Sequence, residues 1–214
     1  MSDNRVPAEY MKMDIADAQR FDQKVKENFM PAFPSVARQI IEDYGILEGI
    51  CIDVGCGSAL MAIELCKRSN LRIYGSEIVK SICQVAYKNI ESEGLRDRII
   101  PILSNAYNLP FKSESADFVI SRGSYHCWRD KPRVLREIYR VLKGGGIGLV
   151  GGGFGRYVTN NELDRMIALR DKSLKDDAKV YRAPDKLKEV IREAGISNFR
   201  IIYDKTGLWA EIKK

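Results

Sequence analysis

From Ile50 onward the apolar residues of this chain fall into short unbroken runs, and these alternate with longer stretches whose apolar positions recur three and four residues apart. The short runs at 50–53, 71–75, 98–103, 116–121 and 146–151 predict buried strands, and the spacing over 58–69, 79–93 and 130–142 predicts helices. Such alternation implies an α/β protein: a doubly wound, mostly parallel sheet with helices on both faces, joined by right-handed crossovers. Further on, helices over Asn161 to Ser173 and Pro184 to Ala194 precede two strands, Phe199 to Tyr203 and Leu208 to Ile212. These turn around Lys205-Thr206-Gly207 as an antiparallel C-terminal pair and bring the sheet to seven strands.

Ahead of Ile50 the pattern is helical only. Asp14 or Asp17 caps a helix toward Met30, with Ile15, Ala18, Phe21, Val25 and Phe29 on one face, and Pro31 and Pro34 end it. A second helix from about Ser35 carries Val36, Ile40, Ile41 and Tyr44 and stops at Gly45. Because both precede the first core strand, they are no interior layer of the strand-helix-strand unit. The expectation is an N-terminal helical lid over 1–45 and a core over 46–214, with Tyr10, Phe21 and Phe33 as candidate pocket aromatics. The same stripe would also serve a helix simply docked on the sheet.

Composition narrows the class. At 214 residues and 45% hydrophobic content the chain supports one well-buried core. The net charge of +6 comes from Lys and Arg mixed with Asp and Glu, which argues for a solvated surface and against a nucleic-acid face. The 5 cysteines lack the paired close spacing of a zinc site and fit a reducing compartment. No run approaches the roughly 20 apolar residues of a membrane span, and no signal-peptide pattern opens the chain. A cytoplasmic protein is expected, with no membrane partner.

The chemistry concentrates at the carboxyl ends of the first three strands. In Ile50 to Leu65 a strand breaks at Gly55 and Gly57 and a helix begins, so backbone can approach a ligand closely while the first helical turn offers unpaired N–H groups. Asp53, at the strand end, can meet a cation. Glu77, at the end of the second strand, is placed to accept hydrogen bonds from a ribose diol. Asn105 and Ala106, after the third, offer an amide side chain and a backbone N–H to an adenine edge.

With these motifs in view the chain resembles the class I S-adenosylmethionine-dependent methyltransferases. The resemblance rests on DVGCGSA (Asp53 to Ala59), YGSEI (Tyr74 to Ile78), NAYNLPF (Asn105 to Phe111), ADFVISRGSYHCW (Ala116 to Trp128) and REIYRVLKGGG (Arg136 to Gly146), in order, over roughly half the chain. It departs from the family pattern at three places. Ala59 takes the third small position of the glycine loop, which is harmless if its φ is negative. Asn105 replaces the usual acid, keeping an acceptor oxygen but losing the charge. Lys143 replaces the proline before the paired glycines.

The resemblance implies a Rossmann-like methyltransferase fold that binds S-adenosyl-L-methionine and releases S-adenosyl-L-homocysteine. It places Gly55, Cys56 and Gly57 along the cofactor, Asp53 at its methionine end, Glu77 on the ribose, Ile78 on the adenine ring, and Asn105 and Ala106 on the adenine edge. Backbone atoms of Ser121 and Arg122 would contact the methionine moiety, and the Arg122 side chain would pair with its carboxylate or with an acidic acceptor. The segment Ser121 to Trp128 is where family members bring acceptor and methyl group together. His126, the only histidine, is therefore the candidate general base, and Tyr125 with Trp128 candidate pocket walls. The sulfonium already activates the methyl group, so no metal is required.

The acceptor implied is a small molecule. Signatures of base methylation such as Asn-Pro-Pro-Tyr or a Pro-Cys pair are absent, which argues against the alternative of an RNA-modifying methyltransferase. A noncatalytic cofactor-binding protein is a further alternative, nicotinamide chemistry another, and arsenite methylation would need a pocket trio of cysteines, for which Cys56 and Cys127 are the candidates. The run Gly151-Gly152-Gly153-Phe154-Gly155 implies close approach to substrate, a gate or a loose connector, with Arg156 and Tyr157 facing the same cavity. Oligomeric state is not legible.

Overall fold

The structure, a computed structural model, describes residues 12–173 and 183–214; the candidate aromatic Tyr10 lies outside these. In chain order it consists of α1 (Ile15–Phe29), α2 (Ala32–Tyr44), β1 (Glu48–Val54), α3 (Leu60–Cys66), β2 (Asn70–Glu77), α4 (Lys80–Ser92), β3 (Ile99–Leu103), β4 (Ala116–Arg122), a 3-10 turn (Tyr125–Cys127), α5 (Lys131–Val141), β5 (Leu142–Gly153), α6 (Asn160–Ser173), α7 (Pro184–Glu193), β6 (Phe199–Asp204) and β7 (Gly207–Lys213).

The seven strands form one sheet in the order β3-β2-β1-β4-β5-β7-β6. Neighbours from β3 through β5 pair in parallel, while β7 runs antiparallel to both β5 and β6. Ile52 of β1 sits opposite Tyr74 of β2 and Val119 of β4. The chain winds outward from β1 in one direction through β2 and β3, and in the other through β4 and β5, so the switch point lies between β1 and β4. Alternate side chains of the central strands feed two cores. Cys51, Ile73, Phe118 and Ile120 pack with α2 and α3 on one face, and Ile52, Val119, Val150 and Ala210 pack with α5 and α7 on the other.

Local choices follow ordinary helix physics. Asp14 caps α1 by accepting from the Asp17 N–H at 2.8 Å. α2 begins at Ala32, three residues earlier than the prolines suggest, because Pro34 falls in the first turn, where a missing N–H breaks no intrahelical bond. Lys143, the departure before the paired glycines, reaches both oxygens of Asp117 at 2.7 and 2.9 Å, while one of those oxygens accepts from the Ile50 N–H at 2.8 Å.

The glycine run is not a loose connector: Gly151, Gly152 and Gly153 belong to β5 and also line the cavity described below. β5 extends through Gly153, and a Cβ on Gly151 would stand 2.2 Å from the Leu208 carbonyl oxygen, on Gly153 2.7 Å from Trp209 Nε1, and on Gly155 2.4 Å from Ser35 Oγ. At these three positions neighbouring protein occupies the space a side chain would need, whereas at Gly152 a Cβ would meet only Gly123 at 3.7 Å. Arg156 and Tyr157 likewise turn away from the cavity: Arg156 bonds Gln39, Glu42 and Asp43, and Tyr157 bonds Glu42 and Ser35, which fixes the loop after β5 to α2.

Candidate functional site

A cavity of about 660 Å³ opens over the carboxyl ends of β1, β2, β4 and β5. Its floor is the turns after these strands, and its roof comes from Phe21, Lys24, Val25, Asn28 and Phe29 of α1 and Phe33 of α2. The volume lies in the range of cofactor and small-molecule sites. Gly55, Cys56, Gly57, Glu77, Ile78, Asn105, Ala106, Arg122, Tyr125 and His126 all line it. Asp53 and Ser121 do not; both are buried behind the lining.

The glycine turn differs from its expected role. Gly55 N–H and Cys56 N–H donate to the Ser76 carbonyl at 2.8 and 3.1 Å, and Gly57 N–H donates to Glu77 Oε2 at 3.0 Å. These amides hold the loop to the end of β2 instead of standing open to a ligand, because buried N–H groups must find partners. Gly55 has φ +70°, and a Cβ there would lie 2.5 Å from Ser124 Cβ, so its freedom serves contact with the loop after β4. Gly57, φ +56°, meets only Phe21 at 3.9 Å and is the glycine open to the cavity. Ala59 also departs from expectation: its φ is +67°, not negative, and it is fully buried. The third small position does require the left-handed conformation, and Ala adopts it at a cost of about 1 kcal/mol.

Glu77 is held rigidly. Its Oε1 accepts from the Ile78 and Val79 N–H groups at 2.9 and 3.0 Å, in addition to the Gly57 bond on Oε2. Burial still keeps its carboxyl above the usual range, with those three N–H donors pulling the other way. Next to it, Asn105 Oδ1 accepts from the Tyr107 N–H at 2.9 Å, which folds the loop after β3 back on itself.

Asp53 is 1% exposed, and its Oδ2 has no hydrogen-bond partner. Burial, with Glu77 adding repulsion, pushes its carboxyl up to about 7. The Ser121 hydroxyl donates to the Val54 carbonyl at 2.8 Å and meets Ser124 Oγ at 2.6 Å, joining the ends of β1 and β4 below the cavity. Arg122 leans the other way. Its Nε donates to the Gly153 carbonyl at 3.1 Å and its guanidinium lies 4.4 Å from the Phe33 ring centroid. Burial lowers its pKa to about 10.

Tyr125 and Trp128 are buried and pack edge to face at 5.6 Å, whereas His126, between them on the 3-10 turn, is exposed at the cavity. Burial holds the Cys56 thiol well above its ordinary pKa, so it stays protonated. Among the described residues no group of three His, Cys, Asp or Glu side chains is placed to hold a metal, so the cysteine trio for arsenite is not assembled. Sequence reading missed Phe29, Arg170, Leu187 and Leu208 as lining residues, while Ser124 falls within the segment Ser121 to Trp128 expected at the acceptor. Of those four only Phe29 carried a signal, as a member of the apolar stripe of the lid helix.

A sheet wound outward from β1, with an acid at the end of β2 and a glycine turn tied to it, defines a nucleoside-cofactor enzyme of the Rossmann-like class. The methyltransferase domain family matches residues 52–150. A solved structure from Methanococcus maripaludis, assigned as an S-adenosyl-L-methionine-dependent methyltransferase, is 34% identical and superimposes with a TM-score of 0.85 over 100% of this chain and 97% of that one. The methyltransferase GfsG of Streptomyces halstedii is 34% identical over 44% of this chain and 34% of its own length. The U6 snRNA (guanine-N(2))-methyltransferase THUMPD2 of Bos taurus is 31% identical over 45% of this chain and 20% of its own. The chain thus spans about a third or less of these two curated relatives. It belongs to the class I S-adenosyl-L-methionine-dependent methyltransferases, whose cofactor is S-adenosyl-L-methionine. Among the described residues no helix is long and apolar enough to cross a membrane.

Proposed function

We propose that this protein transfers the methyl group of S-adenosyl-L-methionine to a small-molecule acceptor held between α1 and the loops after β4 and β5. The observation that carries this reading is the roofed cavity, with rigid polar groups on its β2 side and aromatic walls on its β5 side. The residues fit the cofactor. Glu77, already oriented by three N–H donors, keeps lone pairs for ribose hydroxyls, and Ile78 offers an apolar face to adenine. Asn105 and the Ala106 N–H edge the base, and Gly57 leaves room for close approach. The unpartnered Oδ2 of Asp53 suits the ammonium of the methionine end, directly or through one water.

When bound, the cofactor supplies a sulfonium-activated methyl carbon, which an acceptor lone pair attacks as the carbon–sulfur bond breaks and its electron pair returns to sulfur. The chain's own work is positioning, exclusion of water and removal of a proton. Phe29, Phe33, Phe154 and Trp128 line the acceptor end, and His126 is the group placed to take the acceptor's proton.

Within residues 1–45, α1 is the part of the lid that roofs the cavity and the one less deeply sunk into the core. α2 sinks Phe33, Val36, Ala37 and Ile40 into the core, whereas α1 buries only Ala18 and Asp22. It is held to α4 by Lys26 and Asp22 on Asn89 at 2.8 and 3.1 Å. Ala18 also packs on Val79, Ile82 and Val85, and Phe29 stacks on Phe154.

A second reading, RNA methylation, draws support from the likeness to the U6 snRNA enzyme. Incubation with methyl-labelled cofactor and separated metabolite and RNA pools tests both. Label in the small-molecule fraction is expected. Label in RNA alone would favour the second reading, and cofactor binding without transfer to either pool would favour a noncatalytic role.

A further inference from the structure

We propose that the acceptor is an anion whose carboxylate or phosphate group is seated on the Arg122 guanidinium. This rests on the reading above, that acceptor and cofactor share the cavity, and goes beyond it by naming the acceptor's charge and the residue that selects it.

Arg122 lines the cavity with its side chain fixed at two points, the Gly153 carbonyl bonded to Nε and the Phe33 ring under its plane. Both anchors leave the two terminal nitrogens without a hydrogen bond or a carboxylate partner among the described residues. The anion that acts on this partly buried guanidinium is Asp53, behind the cavity lining and not in hydrogen-bond contact with it, so a ligand carboxylate or phosphate would complete its pairing through two parallel bonds. The side chain remains charged at neutral pH, since its pKa falls only to about 10.

Lys24 and Arg170 also line the cavity, Arg170 paired with Asp171 at 2.8 Å, and among the described residues Glu77 is the one acidic side chain in the lining. Glu77 stands on the β2 side, with its oxygens already accepting three N–H bonds. Phe33 and Gly153, which orient Arg122, belong to α2 and β5, on the far side of β4 from Glu77 and Asn105. The fork thus belongs to the acceptor end, and the carboxylate of the cofactor's methionine is the competing source of the same chemistry.

The test uses the full chain saturated with S-adenosyl-L-homocysteine, titrated calorimetrically with benzoate, phenyl phosphate and the neutral analogue benzamide. At least one anion is expected to bind about tenfold or more tightly than benzamide. Arg122→Met should abolish that preference while leaving homocysteine-cofactor affinity within about threefold, and Arg122→Lys should keep part of it, which guards against a misfolded variant. Equal binding of anions and benzamide to the wild-type complex overturns the proposal. So does a loss of about tenfold in S-adenosyl-L-homocysteine affinity in Arg122→Met with unchanged affinity for 5′-methylthioadenosine, which lacks the carboxylate. Failure of the wild-type chain to bind S-adenosyl-L-homocysteine at all would instead sink the reading on which the proposal rests.

Discussion

On the β2 side of the crevice every polar group has a fixed place before any ligand arrives: Glu77 takes three backbone N–H bonds, and the glycine turn is tied to Ser76. On the β5 side the order is reversed, for the walls are aromatic and the Arg122 fork is oriented but unfilled. Rigid, satisfied polar groups suit a ligand that never changes, because nothing need reorganise to bind it. Apolar walls with one directed charge suit a ligand chosen by shape and sign. The two sides also differ in how they are built. The first comes from three consecutive strand ends, the second from segments as distant as Phe29, Arg122, Phe154 and Leu208.

The sharpest way to break this contrast is Glu77→Ala. It removes the ribose acceptor and strands the N–H groups of Gly57, Ile78 and Val79, each of which costs about 1–3 kcal/mol when buried unpaired. Affinity for S-adenosyl-L-homocysteine should fall by about a hundredfold or more, with Tm falling as well. Glu77→Gln, which keeps one acceptor oxygen but leaves at least one of the three N–H groups unpaired, should recover only part of the Tm while remaining weak in binding. Calorimetry on both variants decides, and unaltered affinity in Glu77→Ala would move the adenosyl group elsewhere.

Asp53 offers a test graded by pH. Its carboxyl ordinarily titrates at 3.8 and burial raises it to about 7. A carboxyl whose folded pKa is raised contributes stability only while protonated. The contribution is whole below the unfolded value and is lost as pH rises through about 7, so without cofactor Tm should decline across pH 4 to 7. A ligand ammonium prefers the ionised form. Affinity for S-adenosyl-L-homocysteine should therefore drop about tenfold for each pH unit below 7, with protons released on binding. Asp53→Asn should flatten the profile at the weaker level. A wild-type affinity independent of pH between 5 and 8 would remove Asp53 from the methionine end.

How much of this was legible in the sequence follows from how each side is assembled. The sheet, its antiparallel end and the β2 side were readable, because strand periodicity is local and Asp53, Gly55, Gly57, Glu77 and Asn105 fall at strand ends within contiguous motifs. The roles within those motifs were less so. That the turn's amides are spent on Ser76 and Glu77, or that Ala59 is left-handed, depends on hydrogen bonds and packing from other elements. Pro34 misled the helix boundary because proline ends a helix from within yet fits its first turn. The glycines that end β5 invited a substrate reading, and they do line the cavity, but that Gly151, Gly153 and Gly155 are also required by close packing against β7, the turn before it and α2 could not be read locally. Residues such as Phe29 and Arg170 look like any helical surface until tertiary structure turns them to one cavity.

The smallest expected effect concerns His126, and it separates chemistry from shape on the β5 side. Its neighbours Tyr125 and Trp128 are buried walls, whereas His126 is exposed at the cavity and is the one histidine of the chain. Proton removal by a side chain is commonly worth about 100-fold or more, but attack on a sulfonium methyl leaves the base less to do, so His126→Ala should lower kcat by about tenfold. Cofactor affinity should not change, since the imidazole stands at the acceptor end. The loss should shrink as pH rises, because an acceptor that has already lost its proton needs no base. Measured on the acceptor recovered from the labelling experiment, a kcat ratio that stays constant from pH 6 to 9 would mean that the ring only shapes the cavity, as Tyr125 and Trp128 do.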